Sequence, residues 1–554
     1  MPEDHGGHFP ELAGLICAVG RAEGRGMGAN KDTVCGGRSV RQILDDERLG
    51  ECFQYSSFHS VASFCAGGVT STVFTSTVLF QPPHQVRQDG LHHSIRMYDN
   101  TMVIQNQGRL PSVPGKNPNV EDESMSDGLI ESLRNATPGY HPGWRQGEYS
   151  GWQDEQMSWK TTCYVGDWSF LWDVVVEGPD ALKVFSDTCI NGFGTFEIGQ
   201  AKHIVQCTSD GKVIGDGVLM RLGEERFITQ GVPALHTSWI LSKGGYDATW
   251  VKVDRCQFQV SGPTALAVCR KVTGQELTDI KFMRFADVEI DGHPAWALRQ
   301  GMAGEIGFEF HTDREHGEAI LAAIVEAGQE HGIRELGRRT VMINHLEAAF
   351  PTGNWHYLKQ SFHPELAGSG EWIRNHFDTY GLASTIRGSY DSNDVNDFLQ
   401  SPITLGWGKS IRFDHDFVGR EALEKEAANP TRSRVTLEFD KKDVIEIYAS
   451  LFDQDDPYTF LEIPHSPRWI AWADKVLDDD RNVVGLSGTP GYSYYFRKVL
   501  ALAYLDVAFA EPGTRLTLVW GDPGTRQKKI GVTVAPAPYK KDNRRGDLTM
   551  SASK

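Results

Sequence analysis

Two stretches of this chain decide its fold: Val174-Val-Val-Glu-Gly-Pro-Asp-Ala-Leu-Lys-Val184 and Phe258-Gln-Val-Ser-Gly-Pro-Thr-Ala-Leu-Ala-Val268. Each runs from β-branched or aromatic residues, typical of strands, through a Gly-Pro turn into residues that favour helix. We expect Pro179 and Pro263 at the first helical position, where the missing N–H has no partner to lose. Phe417-Val-Gly-Arg-Glu-Ala-Leu-Glu-Lys425 is a weaker third copy. A unit repeated at this scale predicts α+β modules related by duplication.

Other segments extend the α+β prediction. An amphipathic helix is expected from Glu318 to Gly332, with Ile320, Ile324 and Ala327 on its buried face. After about residue 430, short β-rich runs separated by turn residues predict a small barrel or a sandwich. These runs are 434–439, 499–507 and 515–519.

Residues 1–124 differ from the rest of the chain. They contain two lysines, Lys31 and Lys116, and show no sustained helical or strand period. A Pro- and Asn-rich stretch, 111–124, has the composition of a linker. Three explanations stay open: a poorly ordered extension, a small extra domain, or upstream sequence translated from a wrong start codon. We therefore divide the chain into an N-terminal extension (1–124), a central region (125–428) and a β-rich region (429–554).

Composition restricts the partners of the protein. The chain has 554 residues, of which 40% are hydrophobic and 23% charged, as in soluble globular proteins. The net charge of −18 disfavours nucleic acid and anionic membranes, because both would repel the chain. No apolar run is long enough to span a membrane, and the acidic N-terminus does not resemble a secretory signal. We expect a cytoplasmic protein; the sequence gives no signal of its oligomeric state.

The cysteines and the generic catalytic motifs exclude several classes of enzyme. The nine cysteines include no CxxC pair and match no zinc or iron–sulfur spacing, so we expect reduced thiols and no metal site. We interpret four further candidates as scattered residues rather than as metal ligands: Cys52, Cys65, His92 and His93. The motifs GxGxxG, GxxxxGK[ST], HExxH and GxSxG are absent, which argues against NAD-linked, P-loop, zincin and α/β-hydrolase chemistry.

Several motifs resemble the folate-binding aminomethyltransferase family, which includes the glycine cleavage T-protein. They are Gly301-Met-Ala-Gly-Glu-Ile-Gly-Phe-Glu309, Ser209-Asp-Gly-Lys-Val-Ile-Gly-Asp-Gly217 and Leu346-Glu347. Further stretches resemble tetrahydrofolate-dependent O-demethylases of the vanillate and syringate type, among them Asp180–Thr188, Arg299–Gly304, Phe413–Glu424, Ile447–Asp453 and Gly491–Tyr494. The resemblance covers roughly residues 130 to 540. It implies a ring of three domains around tetrahydrofolate, and transfer of a methyl or methylene group to that cofactor from a methoxy- or methylenedioxy-aromatic substrate.

The resemblance also implies roles for individual residues. Asp216 matches the catalytic aspartate of the T-protein, although a Gly-Asp-Gly turn would also explain it. Glu309 matches the pterin-binding glutamate, because a carboxylate accepts two of the ring's N–H donors at once. The remaining cofactor contacts implied by the resemblance are Gln259, Glu305, Phe350 and Arg339. Alternatives remain for several of these residues: Glu309 would be an exposed strand carboxylate, Phe350 a core residue, and Arg338 and Arg339 surface charges. We interpret His415 as a structural turn residue.

Two departures from the vanillate-type pattern bear on the substrate. A tyrosine proposed to assist methyl transfer is replaced by Val341, and the arginine that holds the substrate carboxylate is replaced by Val232. A benzoate-type substrate would lose its charge partner, which is costly in a desolvated site. We therefore expect a different, neutral aromatic ether. Replacement acids are sought among Tyr140, His141, His203 and His345.

Two other functions stay open at this point. One is a glycine-cleavage-type aminomethyltransferase, which would depend on a lipoyl carrier protein. The other is a non-catalytic folate-binding protein, which the absence of the tyrosine would suit.

Overall fold

The computed structural model describes residues 128–141, 143–301, 304–378 and 385–548, together with six backbone strands between residues 34 and 106. The chain forms two compact units, Met1–Val120 and Glu121–Lys554. In the first unit, β1 (Val34–Cys35) pairs with β2 (Arg38–Ser39). The other four strands form a sheet of order β3-β6-β5-β4: β3 Thr72–Thr75, β4 Arg87–Gln88, β5 Leu91–Tyr98 and β6 Thr101–Asn106. The rest of the predicted extension 1–124, with Cys52 and Cys65, lies outside the described residues, as do the side chains of His92 and His93.

The second unit contains two mixed modules of sheet and helix. Sheet A has the order β14-β15-β16-β13-β7-β17, and sheet B has the order β12-β8-β11-β10-β9. The strands of sheet A are β7 Cys163–Asp167, β13 Arg255–Ser261, β14 Phe285–Ile290, β15 His293–Leu298, β16 Gly307–Asp313 and β17 Ile333–Glu335. Those of sheet B are β8 Asp173–Glu177, β9 Ala201–Cys207, β10 Val213–Arg221, β11 Arg226–Gln230 and β12 Thr249–Val253.

Ten α-helices are assigned among the described residues. They are α1 Leu129–Asn135, α2 Trp152–Thr161, α3 Ala181–Thr188, α4 Val232–Ser242, α5 Ala265–Thr273, α6 Gly317–Gly328, α7 Val341–Glu347, α8 Ser369–His376, α9 Arg420–Ala428 and α10 Lys441–Ala449. The predicted amphipathic helix is α6, whose Ile320, Ile324 and Ala327 are buried in the core of sheet A. No helix of the described part is long and apolar enough to cross a membrane.

The repeated pattern has the same geometry in both modules. Gly178 (φ +135°) precedes α3 and Gly262 (φ +134°) precedes α5, in backbone conformations that favour glycine. A Cβ atom on Gly178 would lie 2.6 Å from the carbonyl oxygen of Asp247, and one on Gly262 would lie 2.6 Å from that of Thr162. The turn therefore requires glycine because a neighbouring backbone passes over it. In the third copy, Gly419 also precedes a helix, α9, but Phe417 is not in a strand.

The prediction for the two prolines was wrong. The helices begin at Ala181 and Ala265, two residues after Pro179 and Pro263. The reason is a tight turn before each helix, in which the N–H of the first helical alanine donates to the glycine carbonyl, at 2.9 Å for Ala181 and 3.1 Å for Ala265. Pro occupies the second position of that turn, where its fixed φ is suitable.

The C-terminal strands form a closed barrel of six. The order is β19-β26-β25-β21-β22-β24, and β24 pairs back onto β19. The strands are β19 Arg432–Phe439, β21 Asp474–Leu477, β22 Val483–Ser487, β24 Lys498–Asp506, β25 Arg515–Trp520 and β26 Lys528–Ala535. Three short strands lie beside it: β18 Ile386–Arg387, β20 Ala471–Trp472 and β23 Gly491–Ser493. Because the sheet closes on itself, each of these six strands pairs with a neighbouring strand on both sides. The predicted domain boundaries at 124 and 428 stay predictions.

A buried charge cluster joins the barrel to the central modules. Glu347, at the end of α7, is completely buried, 2.9 Å from Nζ of Lys160 and 3.6 Å from Nζ of Lys540. Trp159 Nε1 and Ser493 Oγ donate hydrogen bonds to the same carboxylate. Burial alone would raise the pKa of Glu347, but Lys540 and Lys160 hold it below its ordinary value. The cluster therefore fixes α7 against α2, β23 and the C-terminal segment.

Candidate functional site

A cavity of 770 Å³ lies in the second unit where sheet A, sheet B, α7 and the C-terminal segments meet. Sheet B contributes Lys202, His203, Asp216 and Gln230 to its wall, and sheet A contributes Glu309. The loop after α7 contributes a continuous stretch, 348–353, together with Trp355 and Lys359. Such a volume is in the range of small-molecule and cofactor sites.

Asp216 lies on the cavity wall in a cluster of polar side chains. It belongs to β10, so the alternative that it only caps a turn does not hold; the turn is at Ser209–Gly211. Its Oδ2 is 3.0 Å from Nε2 of His203, on the neighbouring strand β9. Its Oδ1 accepts a hydrogen bond of 3.3 Å from the Tyr357 hydroxyl. Burial raises the pKa of Tyr357 well above its ordinary value, so this hydroxyl remains a donor. The carboxylate is therefore held in one orientation from both sides.

Glu309 lies in the wall formed by sheet A. It is 3% exposed, so the alternative of an exposed strand carboxylate does not hold. Gln300 Nε2 donates a 2.6 Å hydrogen bond to its Oε2, and Nε2 of His311 lies 2.8 Å from its Oε1 without the angle of a well-formed hydrogen bond. Because a carboxylate has about four acceptor positions, these neighbours leave capacity for a ligand's N–H groups.

Aromatic side chains form one end of the cavity. The ring of His141 stacks on Trp469, with centroids 4.3 Å apart, and on Trp355, at 5.0 Å. Burial, with smaller effects of Arg338 and Lys359, lowers the pKa of His141 to about 3. Gly143 N–H donates to its Nδ1, which places the proton of the neutral ring on Nε2. Trp144, Trp168 and Phe170 complete this wall.

His345 is a second neutral histidine in the wall. It stacks on Trp168, with centroids 5.4 Å apart, and its Nδ1 is 2.8 Å from Oγ1 of Thr352. Burial lowers the pKa of His345 to about 3, with smaller contributions from the charges of Lys540 and His465. Among the described residues its buried Nε2 has no hydrogen-bond partner. Phe350 is partly buried against His345 and His203 and lines the cavity, so it is not plain core.

Basic residues surround another part of the cavity. They are Lys202, Lys409, Arg412, Arg434, Arg544 and Arg545. Asp542 is the nearby acid, paired with Arg544 at 2.7 Å. The local sign of charge is thus opposite to the net charge of −18. This part of the wall is suited to carboxylates of a ligand.

The structure places other predicted residues away from the cavity wall. Tyr140 is 58% exposed, with the Arg468 guanidinium over its ring, and it does not line the cavity. Arg339 pairs with Glu148 and bonds to the Ile463 carbonyl, and Glu305 accepts from Asn543 Nδ2. Gln259 is fully buried behind Glu309. Val341 packs into an aromatic core cluster, and His415 bonds to Asp414 outside the cavity.

The sequence analysis missed Lys359 and Gln300. Burial lowers the pKa of Lys359 to about 8, and the nearby Asp216 carboxylate limits the fall. Lys359 belongs to no motif, whereas Gln300 lies within the stretch Arg299–Gly304 without having been assigned a role; both lie in irregular segments between elements. In the residues described here, no group of three or more side chains is arranged to hold a metal ion.

Comparisons with known proteins show the family of the chain. The model of the GCVT N-terminal domain matches residues 130–368. Syringate O-demethylase from Sphingobium sp. (strain NBRC 103272 / SYK-6) is 34% identical over 441 residues, which cover 74% of this chain and 93% of that protein. Sesamin methylene transferase from Sinomonas sp. (strain No.22) is 34% identical over 411 residues, covering 71% and 89%.

A solved structure matches the fold at lower identity. The glycine cleavage system aminomethyltransferase T from Bartonella henselae has a TM-score of 0.53 and 19% identity, over 75% of this chain and 96% of that chain. An aminomethyltransferase from Bacillus cereus (strain B4264) is 24% identical over 402 residues, covering 71% and 91%. These similarities, in sequence and in fold, show that the chain belongs to the aminomethyltransferase family defined by the GCVT N-terminal domain.

Proposed function

We propose that the cavity transfers a methyl or methylene group from an aromatic ether to tetrahydrofolate. The chain is a tetrahydrofolate-dependent one-carbon transferase of the O-demethylase type. The two relatives with 34% identity are named as an O-demethylase and a methylene transferase, whereas the aminomethyltransferase has 24% identity. The observation that carries the proposal is the buried carboxylate of Glu309 on the wall of the same cavity as the Asp216–His203 pair.

The residues of the cavity fit tetrahydrofolate. The carboxylate of Glu309, with an amide donor from Gln300 beside it, matches the row of N–H and acceptor groups on a pterin edge. Phe350 and Trp407 offer aromatic surface. Arg544, Arg545, Lys409 and Arg412 suit the carboxylates of the folate tail. Bound tetrahydrofolate supplies the nitrogen nucleophile that accepts the carbon.

The protein's own residues orient the reactants and exclude water. Asp216 and His203 form a fixed acceptor–donor pair within the cavity, and the aromatic wall lowers the local polarity. Holding two reactants in line can lower the barrier of a bimolecular displacement by as much as ~7–11 kcal/mol. A leaving aryl oxygen also needs a hydrogen bond or a proton.

We propose a neutral ether as the substrate. Val232 lines the cavity at the position where vanillate-type relatives carry the arginine that holds a carboxylate. Its side chain packs over Gly215, where a Cβ atom would lie 2.4 Å from it. An apolar group at this place favours an uncharged aromatic, and we place the reaction in the breakdown of aromatic compounds.

We also propose a cytoplasmic location. Cys163, Cys189, Cys207, Cys256 and Cys269 are all buried and free. Burial raises the pKa of Cys189 and Cys269 above the ordinary value of a thiol. Unpaired, protonated thiols suit a reducing compartment.

The test is turnover with a panel of ethers. The protein is incubated with tetrahydrofolate and guaiacol, 1,3-benzodioxole or vanillate, and mass spectrometry measures one-carbon-loaded folate. We expect loading with the neutral ethers and little with vanillate. Binding of tetrahydrofolate by calorimetry, without loading by any ether, would favour a non-catalytic folate-binding protein instead. Robust turnover of vanillate would contradict the neutral-substrate proposal.

A further inference from the structure

Lys359 places an ammonium group inside the cavity, in the neighbourhood of Asp216. Its Nζ lies 5.4 Å from the centroid of the Trp469 ring, at the aromatic end of the cavity. Within the part of the chain that the structure describes, no carboxylate lies within ion-pair distance of this Nζ, and no hydrogen bond occupies it. A cation that is neither paired nor on the outer surface is costly to maintain, which suggests that a ligand uses it.

The backbone around Lys359 is fastened to β10. Two residues before it, Tyr357 donates its hydroxyl to Asp216. One residue after it, the N–H of Gln360 donates to the carbonyl of Val213 at 2.8 Å. The position of Lys359 relative to Asp216 is therefore fixed on both sides.

The stem of the side chain is also held in place. Gly353 lies against it so closely that a Cβ atom there would be 2.6 Å from Cδ and 2.7 Å from Cγ of Lys359. Gly353 does not have a positive φ, so the close approach of the lysine, rather than the backbone, explains the glycine. This contact directs four methylene groups along the cavity wall.

The groups around Lys359 allow it to lose and regain a proton. Two titratable side chains of the cavity wall interact electrostatically with Lys359: Asp216 of sheet B and His141 of the aromatic end. His203, which contacts Asp216, and His345 line the same cavity, and Tyr357 also contacts Asp216. The pKa values of His141 and His345 are lowered to about 3 by burial, so both rings are neutral at neutral pH. They cannot supply a proton as imidazolium ions, whereas Lys359, with its pKa lowered to about 8, is charged at neutral pH and acidic enough to donate.

We propose that Lys359 is the catalytic acid that protonates the aryl oxygen as its bond to the transferred carbon breaks. This role rests on the proposed function and names the residue that replaces the missing tyrosine. For a methyl ether, the oxygen keeps the electron pair of the broken carbon–oxygen bond and takes one proton from the Lys359 ammonium. Tetrahydrofolate, when bound, would supply the nitrogen lone pair for the new bond to carbon, and the proton of that nitrogen would be lost to solvent. Lys359 regains a proton from solvent, so the two protons balance and no oxidant or reductant is needed.

The proposal is tested with the full chain and three variants. Lys359→Met removes the charge and the proton, Lys359→Arg keeps the charge but cannot give up a proton at this pH, and Gly353→Ala displaces the lysine stem without changing charge. Turnover is measured with guaiacol and with 4-nitroguaiacol, whose phenol is a far stronger acid and needs less help in leaving. Lys529→Met, an exposed lysine on β26, is the matched control.

An acid role predicts a dependence on the leaving group. With guaiacol, Lys359→Met and Lys359→Arg lose about 100-fold or more in kcat, a typical contribution of general acid catalysis, whereas with 4-nitroguaiacol the loss is less than about 10-fold. Gly353→Ala shows the same pattern at smaller amplitude. In the unsubstituted protein, kcat/KM falls as the pH rises above about 8, because the ammonium deprotonates, and this fall disappears in Lys359→Met.

Each other outcome counts against the proposal. Equal losses with both ethers would indicate a structural role, and full rescue by Lys359→Arg would indicate a charge effect without proton transfer. If a variant does not fold, the pH profile and the guaiacol to 4-nitroguaiacol ratio of the unsubstituted protein decide: a flat profile overturns the role. Failure of the unsubstituted protein to turn over any ether, while calorimetry shows tetrahydrofolate binding, would reject the proposed function itself and this role with it.

Discussion

Gln259 and Glu309 stand opposite each other on β13 and β16, and the amide of Gln259 lies 3.5 Å from the Glu309 carboxylate. The Tyr164 hydroxyl donates a 2.6 Å hydrogen bond to the other end of that amide, which fixes its orientation. Gln259 is itself out of reach of the cavity. It therefore supports the carboxylate from behind, and of the two residues only Glu309 lines the cavity.

Glu309→Gln should weaken tetrahydrofolate binding by about 10- to 100-fold. The change removes the negative charge but keeps the size of the side chain, and a hydrogen bond to a charged group contributes about 1.5–3 kcal/mol. Calorimetry measures the Kd, with Glu289→Gln, an exposed residue of β14, as the control. An unchanged Kd would mean that the pterin does not contact this carboxylate.

Asp216→Asn should lower kcat by about 100-fold or more and leave the Kd of tetrahydrofolate within about twofold. The amide cannot accept from both His203 and Tyr357 as the carboxylate does, so the pair loses its charge and its orientation. Single-turnover kinetics measure the effect, and Asp287→Asn on β14 is the matched control. If kcat stayed the same, Asp216 would be structural only.

Val232→Arg should shift preference from neutral ethers toward vanillate. The new guanidinium would pair with a carboxylate that wild-type Val232 leaves desolvated. We expect the ratio of kcat/KM for vanillate to that for guaiacol to rise by at least about tenfold. Val251→Arg, exposed on β12, should leave the ratio unchanged. A ratio that does not move would place the substrate's ring elsewhere in the cavity.

Replacing His345 should alter how stability depends on pH. Because burial lowers its pKa from 6.5 to about 3, the unfolded chain binds the extra proton between these values and the folded chain does not. The free energy of unfolding therefore falls as the pH drops below 6.5. In His345→Asn this fall should be less steep by about 1 kcal/mol per pH unit near pH 5.5, as measured by urea unfolding. An unchanged slope would show that the ring accepts a proton in the folded state.

Local pattern predicted much of the fold and less of the site. The two Gly-Pro copies, α6 and the strands after residue 430 follow from residue type and spacing, because each depends on neighbours in the chain. Whether the C-terminal strands close into a barrel depends on the pairing of β24 with β19, between residues about 70 positions apart, and the sequence left a sandwich open.

Resemblance located Asp216 and Glu309, and the structure puts both on one cavity. It also suggested Tyr140 and Arg339, which tertiary packing directs elsewhere. No sequence pattern marked Lys359 as a site residue. Its position in the cavity depends on tertiary contacts with Gly353, with β10 and with the aromatic end, and the periodicity of a sequence does not predict such contacts.

The position of Lys540 in the chain has a consequence for synthesis on the ribosome. This lysine neutralises the buried Glu347, and Arg544 and Arg545 shortly after it form part of the cavity wall. Sheets A and B emerge from the ribosome long before these residues. The binding site can therefore be completed only after residue 545 has been synthesised, and a nascent chain that stops near residue 535 would keep its sheets yet leave Glu347 without one of its two cations.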